Sequence, residues 1–358
     1  MLGGNDALNT VVPADGVYRD ARPRLALPDD ELLQLEGANG LGLHASLAPL
    51  MPMWEDGNLA IATGVAFDSQ TRSHFESRDV WWRAGDDPQA DGWLARWIDA
   101  AAIDRPEVLM EAIALGAGPR ALAGSSASAV NDPTDFGLDP PSGMSEVEFE
   151  SFLLSVAQGS ANDGALTTSA RGALPLALST QKILADAGDE AAGDAYSGQG
   201  SAALDVQLQT AASLITTRPG LRVVTVGIEG FDTHADQLGA HSALLADVSG
   251  ALSRFWSELG PQHQKRSLVM TTTEFGRRVA ENGSSGTDHG LGSVQFLLGG
   301  DVAGGQVAGE YGLSSLVDGD LPMAVPAQDL YADALRWLGG PVEDVLGVNP
   351  PATGLVRV

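Results

Sequence analysis

The stretch Arg222-Val223-Val224-Thr225-Val226-Gly227-Ile228, followed at once by Glu229-Gly230-Phe231-Asp232-Thr233-His234, decides the fold. Its first half is short, β-branched and apolar on both faces, the pattern of a strand buried between layers. Its second half is a polar turn. From about Ala235 to Leu259 the residues Leu238, His241, Leu244, Leu245, Val248, Leu252, Phe255 and Trp256 recur at helical spacing, and Gly260-Pro261 stops them. Strand, polar turn and helix together make the repeating unit of an α/β protein.

Further β-rich runs lie at Leu59 to Gly64, Met110 to Gly116, Ser267 to Thr273 and Val294 to Gly299, separated by longer helix-patterned segments, with a second amphipathic segment at Asp329 to Leu338. The expected fold class is α/β, a mainly parallel central sheet flanked by helices on both faces. At 358 residues and 44% hydrophobic composition the chain is expected to form a single domain, 1–358. Between about 118 and 200 the text is rich in Ala, Gly, Ser and Asp, with turn signals at Asn131-Asp132-Pro133 and Asp139-Pro140-Pro141, and reads as an irregular helical insertion.

Composition narrows the function. Forty-seven acidic against twenty basic side chains give a formal charge of −27, which repels nucleic acid and anionic lipid. Only Lys182 and Lys265 are lysines. No run approaches the roughly 18 to 20 apolar residues that span a bilayer, and no basic stretch followed by an apolar one opens the chain. The expectation is a soluble acidic protein without an export signal in this sequence. With no cysteine, any metal must be held by Asp, Glu, His, hydroxyls and carbonyls.

In open α/β sheets, function gathers where strands end. Asp232 and His234 follow the deciding strand and can converge on one cation, unless Asp232 simply caps the next helix. Glu274-Phe275-Gly276-Arg277-Arg278 follows the run at Ser267 to Thr273; it offers a carboxylate ligand and a guanidinium for a phosphate or sulfate, or else a surface ion pair. Gly286-Thr287-Asp288-His289-Gly290 sits in a glycine-bounded loop. Thr71-Arg72-Ser73-His74-Phe75-Glu76 puts a hydroxyl at a helix start, where Ser73 can act as a nucleophile or can form a capping box with Glu76. Trp81, Trp82, Trp93 and Trp97 read as core packing rather than as a sugar-stacking wall.

Five motifs in order carry a resemblance: Gly3-Gly4-Asn5-Asp6-Ala7-Leu8-Asn9-Thr10-Val11-Val12-Pro13, Arg72-Ser73-His74-Phe75, Phe231-Asp232-Thr233-His234, Thr273-Glu274-Phe275-Gly276-Arg277 and Gly286-Thr287-Asp288-His289-Gly290. In this order they resemble domain-of-unknown-function family 1501, itself similar to the alkaline phosphatase and sulfatase superfamily. The resemblance implies an alkaline-phosphatase-like sheet carrying one or two divalent cations (Zn, Mn, Ca or Mg) beside a hydroxyl nucleophile. By position it implies Ser73 as the nucleophile, Asp6, Asp232, His234, Glu274, Asp288 and His289 as metal ligands, and Asn5, Arg72, His74 and Arg277 around the substrate. The implied substrate is a small anionic ester or glycan ester, and the implied location is periplasmic or extracellular.

Departures qualify the resemblance. Phe275 stands where the superfamily has a metal-binding histidine, which weakens a second cation site. The sequence opens directly on its Gly-Gly-Asn-Asp motif, where relatives have an export signal and a hydrophobic strand, so Asp6 is expected to be poorly anchored. No cysteine and no Ser-x-Pro-x-Arg surround Ser73, which favours phosphate over sulfate esters. The leading expectation is a metal-dependent ester hydrolase, and the alternative is a non-catalytic binding or scaffold protein on the same fold. A lipase-like esterase using Gly4-Asn5-Asp6 as its oxyanion hole is disfavoured, because the Gly-Asp-Ser opening and Asp-x-x-His ending of that family are missing.

Overall fold

The structure, a computed structural model, describes residues 1–38, 40–102, 112–116, 119–124, 128–130, 138–159, 164, 167, 171, 174–175, 177–178, 180–182, 184, 201–217 and 220–358. Its strands in chain order are β1 (Val11–Pro13), β2 (Leu32–Gln34), β3 (Leu41–His44), β4 (Leu59–Ala66), β5 (Ala112–Leu115), β6 (Ser128–Val130), β7 (Val223–Thr225), β8 (Leu268–Met270), β9 (Ser293–Gly299), β10 (Val307–Ala308) and β11 (Val325–Pro326).

These strands form three sheets. The largest runs β10-β4-β9-β8, with β11 also on β4. Every residue of β4 and β9 is buried, which explains why both read as continuous apolar runs. They pair antiparallel from Leu59 opposite Leu298 to Val65 opposite Ser293, with a bulge at Gly64, and β8 is antiparallel to β9. A second sheet, β1-β3-β2, is wholly antiparallel. Among the described residues parallel pairing is confined to the small sheet β6-β5-β7 and to the two-residue strands β10 and β11 on β4.

The expected mainly parallel, alkaline-phosphatase-like central sheet is therefore corrected: the larger sheets are mostly antiparallel. A run buried on both faces is apolar whichever way its neighbour points, so the pattern records burial and not strand direction. The runs at 222–228 and 267–273 also contribute only three strand residues each. Of the expected insertion at about 118–200, most lies outside the described residues, as do Met110 and Glu111 of the run before it. Within it, the helix Glu146–Ala157 opens with a capping box between Ser145 and Glu148.

The helix Gln237–Gln264 buries His241, Leu245, Val248, Leu252, Phe255 and Trp256, and Gly260 breaks its geometry at φ +63°, where the Gly-Pro pair signals a stop. Trp81, Trp93 and Trp97 are buried in a core around Tyr331, with Trp93 stacked on that ring at 4.5 Å; Trp82 lies partly exposed beneath the Arg120 guanidinium. Among the described residues no helix is long and apolar enough to cross a membrane.

Asp6 is firmly anchored, contrary to expectation. It is 1% exposed and takes both ends of the equally buried Arg22 guanidinium, at 2.6 and 2.9 Å, with Gln237 donating as well. Arg22 also donates to Asn9 and to the carbonyls of Val279 and Arg278, so it ties the first helix, Ala7–Thr10, to the segment 278–279. Burial alone would raise the Asp6 carboxyl, but the Arg22 charge and hydrogen bonds outweigh it and hold the group below the usual carboxylate range.

Replacing Arg22 by Met leaves Asp6 buried and unpaired, and is expected to cost about 3 to 5 kcal/mol of unfolding free energy at neutral pH. Because the folded pKa is depressed, this contribution is complete above the unfolded value of about 3.9 and is lost as pH falls below it. Urea denaturation of both proteins across that range measures it. A cost below about 1 kcal/mol would contradict the role assigned to the pair.

Candidate metal centre

Three segments of the chain, at 3–4, 231–232 and 287, meet around one buried guanidinium. Arg277, 1% exposed, donates through Nε to Gly4 O, through one terminal nitrogen to Thr287 O, and through the other to Gly3 O, Phe231 O and Asp232 Oδ1. No lysine can do this, because the contacts need a planar fork of five N–H groups. The glycines that meet it are required by closeness: a Cβ on Gly3 would lie 2.4 Å from Asp232 N, and one on Gly4 2.4 Å from the Phe275 ring. Gly3 also has φ +120°, a region that side chains other than hydrogen rarely occupy.

Above this hub three imidazoles surround Asp232, and their tautomers follow from their outer partners. Nδ1 of His289 lies 2.7 Å from the carbonyl of Arg72; a carbonyl only accepts, so Nδ1 carries the proton. Nδ1 of His74 lies 2.9 Å from Glu274 Oε1, and Nδ1 of His234 lies 3.3 Å from Asp288 Oδ1. Both carboxylates are held ionised. Burial pushes Glu274 up, but hydrogen bonds from its own backbone, His74 and Gly3, with the charge of Arg78, bring it below its ordinary value. For Asp288 the hydrogen bond from the Asn282 amide is the largest lowering influence. Each imidazole therefore donates outward and turns its Nε2 lone pair inward.

Those lone pairs converge. The Nε2 atoms of His234 and His289 are 2.9 Å apart, and each is 3.0 Å from Asp232 Oδ1; His74 Nε2 is 3.4 Å from Asp232 Oδ2. Ligand atoms of His74, Asp232 and His289 all lie within 4.8 Å of one another. Burial works to raise the Asp232 carboxyl, yet the hydrogen bond and charge of Arg277 work against it and the group lies at about 2. Facing lone pairs around an ionised carboxylate repel one another until a cation sits between them. Outer acceptors on Nδ1 that aim Nε2 inward are the usual second sphere of a metal-binding histidine. The residues present fit a divalent cation, and with 45% of its side chain exposed, Asp232 leaves the cluster open to solvent.

The sequence candidates divide accordingly. Asp232, His234 and His289 come together, and His74, expected beside the substrate, joins them as a nitrogen donor. Glu274 and Asp288 stand behind His74 and His234. The Glu274 oxygens are taken by Gly3 N at 3.0 Å, His74 and Arg78, so it orients a donor. Asp6 belongs to Arg22. Asn5 is buried, its side-chain oxygen 2.9 Å from Nε2 of His241, whose imidazole burial drives down to about 4. Arg277 turns its fork into the protein, and Arg72 pairs with Asp320 while offering its carbonyl to His289.

Ser73 begins the helix His74–Arg83, and the capping box read from its spacing does not form: its side chain caps nothing, and Glu76 instead accepts from the Thr71 hydroxyl. Nor does Asp232 cap the helix Gln237–Gln264, whose N-cap is Asp236. What sequence reasoning missed was the donor role of His74. The available signal was its place in a motif with three polar neighbours, and the weight fell on Ser73.

Glu274→Gln keeps the side chain's shape but removes the charged partner of His74. It is expected to weaken divalent-cation binding by about 10- to 100-fold while the other donors remain. Calorimetric titration with Zn²⁺ or Mn²⁺ reads this, and an unchanged affinity would remove Glu274 from the second sphere.

The family model described as "Protein of unknown function (DUF1501)" matches residues 68–347, a segment holding His74, Asp232, His234, Arg277 and His289 while leaving Gly3 to Asp6 ahead of it. No curated protein and no solved structure matches the chain. On a match spanning most of its length, the chain belongs to the DUF1501 family.

Proposed function

We propose that the protein hydrolyses small anionic esters, phosphate in preference to sulfate, with one divalent cation held by His74, Asp232, His234 and His289 and with Ser73 as nucleophile. The observation that carries the reading is the convergence of three Nε2 lone pairs on an ionised, solvent-open Asp232. A cation there supplies Lewis acidity, drawing charge from an ester oxygen and easing deprotonation of a hydroxyl.

The chain's own groups do the rest. Ser73 directly precedes His74, and its hydroxyl is free of any capping hydrogen bond. The first amides of the helix His74–Arg83 offer donors to an anion. Phe75, 86% exposed at the same helix start, provides an apolar surface for the ester's uncharged portion. A single cation is favoured over two, because Glu274 and Asp6 are committed to Gly3, His74, Arg78 and Arg22, and Phe275 packs against the rings of His74 and His289 at 4.9 and 4.5 Å. An imidazole-rich donor set suits Zn²⁺ or Mn²⁺ better than Ca²⁺ or Mg²⁺, which take oxygen ligands. A periplasmic or extracellular place of action goes with this reading and rests on the family resemblance.

One observation favours the second reading, a cation-binding protein without turnover: the guanidiniums of Arg72, Arg78 and Arg277 are engaged with Asp320, Glu274 and the hub, leaving the anion to the cation and helix amides. With Zn²⁺ or Mn²⁺ supplied, turnover of aryl phosphate esters is expected, and a chelator abolishes it. Ser73→Ala is expected to lower kcat on the order of 10⁴-fold or more while cation binding persists. Undiminished activity in Ser73→Ala would remove the nucleophile. Tight cation binding with no turnover of phosphate or sulfate esters would favour the second reading.

A further inference from the structure

Around the candidate cation site the guanidiniums are paired with carboxylates of the protein itself. Arg277 pairs with Asp232 at 2.7 Å and Arg78 with Glu274 at 3.0 Å. Arg72 and Arg278 share the buried Asp320, Arg278 at 3.5 Å. One guanidinium is therefore in excess of these pairs. Against it stand Asp288, its side chain 60% exposed beside His234, and Glu76, exposed in the first turn of the helix that Ser73 begins. Asp318, also exposed, offers its carbonyl to Arg278. A divalent cation on the four donors thus leaves no more than one net positive charge at the opening.

That balance separates two classes of phosphate ester. A monoester carries a charge of about −1.5 to −2 near neutral pH, whereas a diester has a single ionisable oxygen and a single negative charge. The second charge of a monoester meets no unpaired guanidinium, and Asp288 and Glu76 repel it. A diester carries an organic group in its place. Phe75, 86% exposed and next in sequence to the donor His74, offers that group an apolar face.

Granted the hydrolytic centre proposed above, we infer that its substrates are phosphodiesters and that monoesters are its products. Ser73 Oγ bonds to phosphorus as the bond from phosphorus to the departing oxygen breaks; that oxygen takes the electron pair, and the proton lost by Ser73 ends on the departing alcohol. The serine-linked diester so formed is again a monoanion. Water then attacks phosphorus, the bond to Ser73 Oγ breaks, and the hydroxyl is restored. The monoester released ionises a second time, which favours its departure from this opening and opposes its return.

The test compares bis(para-nitrophenyl) phosphate, para-nitrophenyl phosphate and para-nitrophenyl sulfate as substrates of the full chain with Zn²⁺ or Mn²⁺ supplied. The diester is expected to exceed the monoester in kcat/KM by about tenfold or more. It is expected to release one nitrophenol per molecule consumed, with the monoester accumulating and inorganic phosphate absent. Glu76→Lys reverses an exposed charge and is expected to raise the monoester relative to the diester by about tenfold at low salt, and by less at high salt. Preference for the monoester, accumulation of inorganic phosphate, faster turnover of the sulfate, or an unchanged ratio in folded Glu76→Lys would overturn the inference while leaving cation-dependent ester hydrolysis in place. Turnover of none of the three with the cation bound would overturn both. If Glu76→Lys fails to fold, the unmodified protein's substrate ratio and product decide.

Discussion

The Arg277 guanidinium is buried away from water, and its three nitrogens donate to oxygens of three segments, 3–4, 231–232 and 287. Gly3 and Gly4 lie more than 200 residues from Phe231 and Asp232 and from Thr287, yet all are within hydrogen-bond distance of one side chain. A buried cation with unmet donors is strongly unfavourable, so each of these loops is held in place by the cost of leaving. The imidazoles of His234 and His289 are positioned as a consequence, His234 following Asp232 by two residues and His289 following Thr287 by two.

The candidate cation site is built outward from that hub. Asp232 has one oxygen on Arg277 and the same oxygen within 3.0 Å of two imidazole nitrogens, and that crowding is tolerable only in the presence of positive charge. Three outer acceptors of different kinds, a carbonyl and two carboxylates, impose the same tautomer on three histidines. The net charge of −27 favours cations over anions near such an opening, and the cluster offers nitrogen donors already aimed at one point.

Much of this was legible in the sequence, and the gaps have physical causes. The strands at Leu59–Ala66 and Ser293–Gly299 and the helix break at Gly260 could be read because burial on both faces and a Gly-Pro pair leave local marks. Strand direction leaves none, which is why a parallel sheet was expected where β4 and β9 run antiparallel. The runs at 222–228 and 267–273 carry strand chemistry that the structure only partly realises, since the edges of β7 and β8 face a cavity. At the site, an acidic residue shortly before a histidine marked both Asp232-Thr233-His234 and Asp288-His289. No local pattern could reveal that Asp6 is claimed by Arg22, or Glu274 by Gly3 and Arg78, because those partners are set by tertiary contact.

The most direct measurement is diffraction from cation-soaked crystals at wavelengths on either side of the metal's absorption edge. The account predicts one anomalous peak bounded by the Nε2 atoms of His74, His234 and His289 and by Asp232, with nitrogen distances of about 2.0 to 2.1 Å if the metal is zinc. A cluster without a peak under saturating metal, or a peak coordinated by Asp6 or Glu274 in place of the three imidazoles, would contradict it.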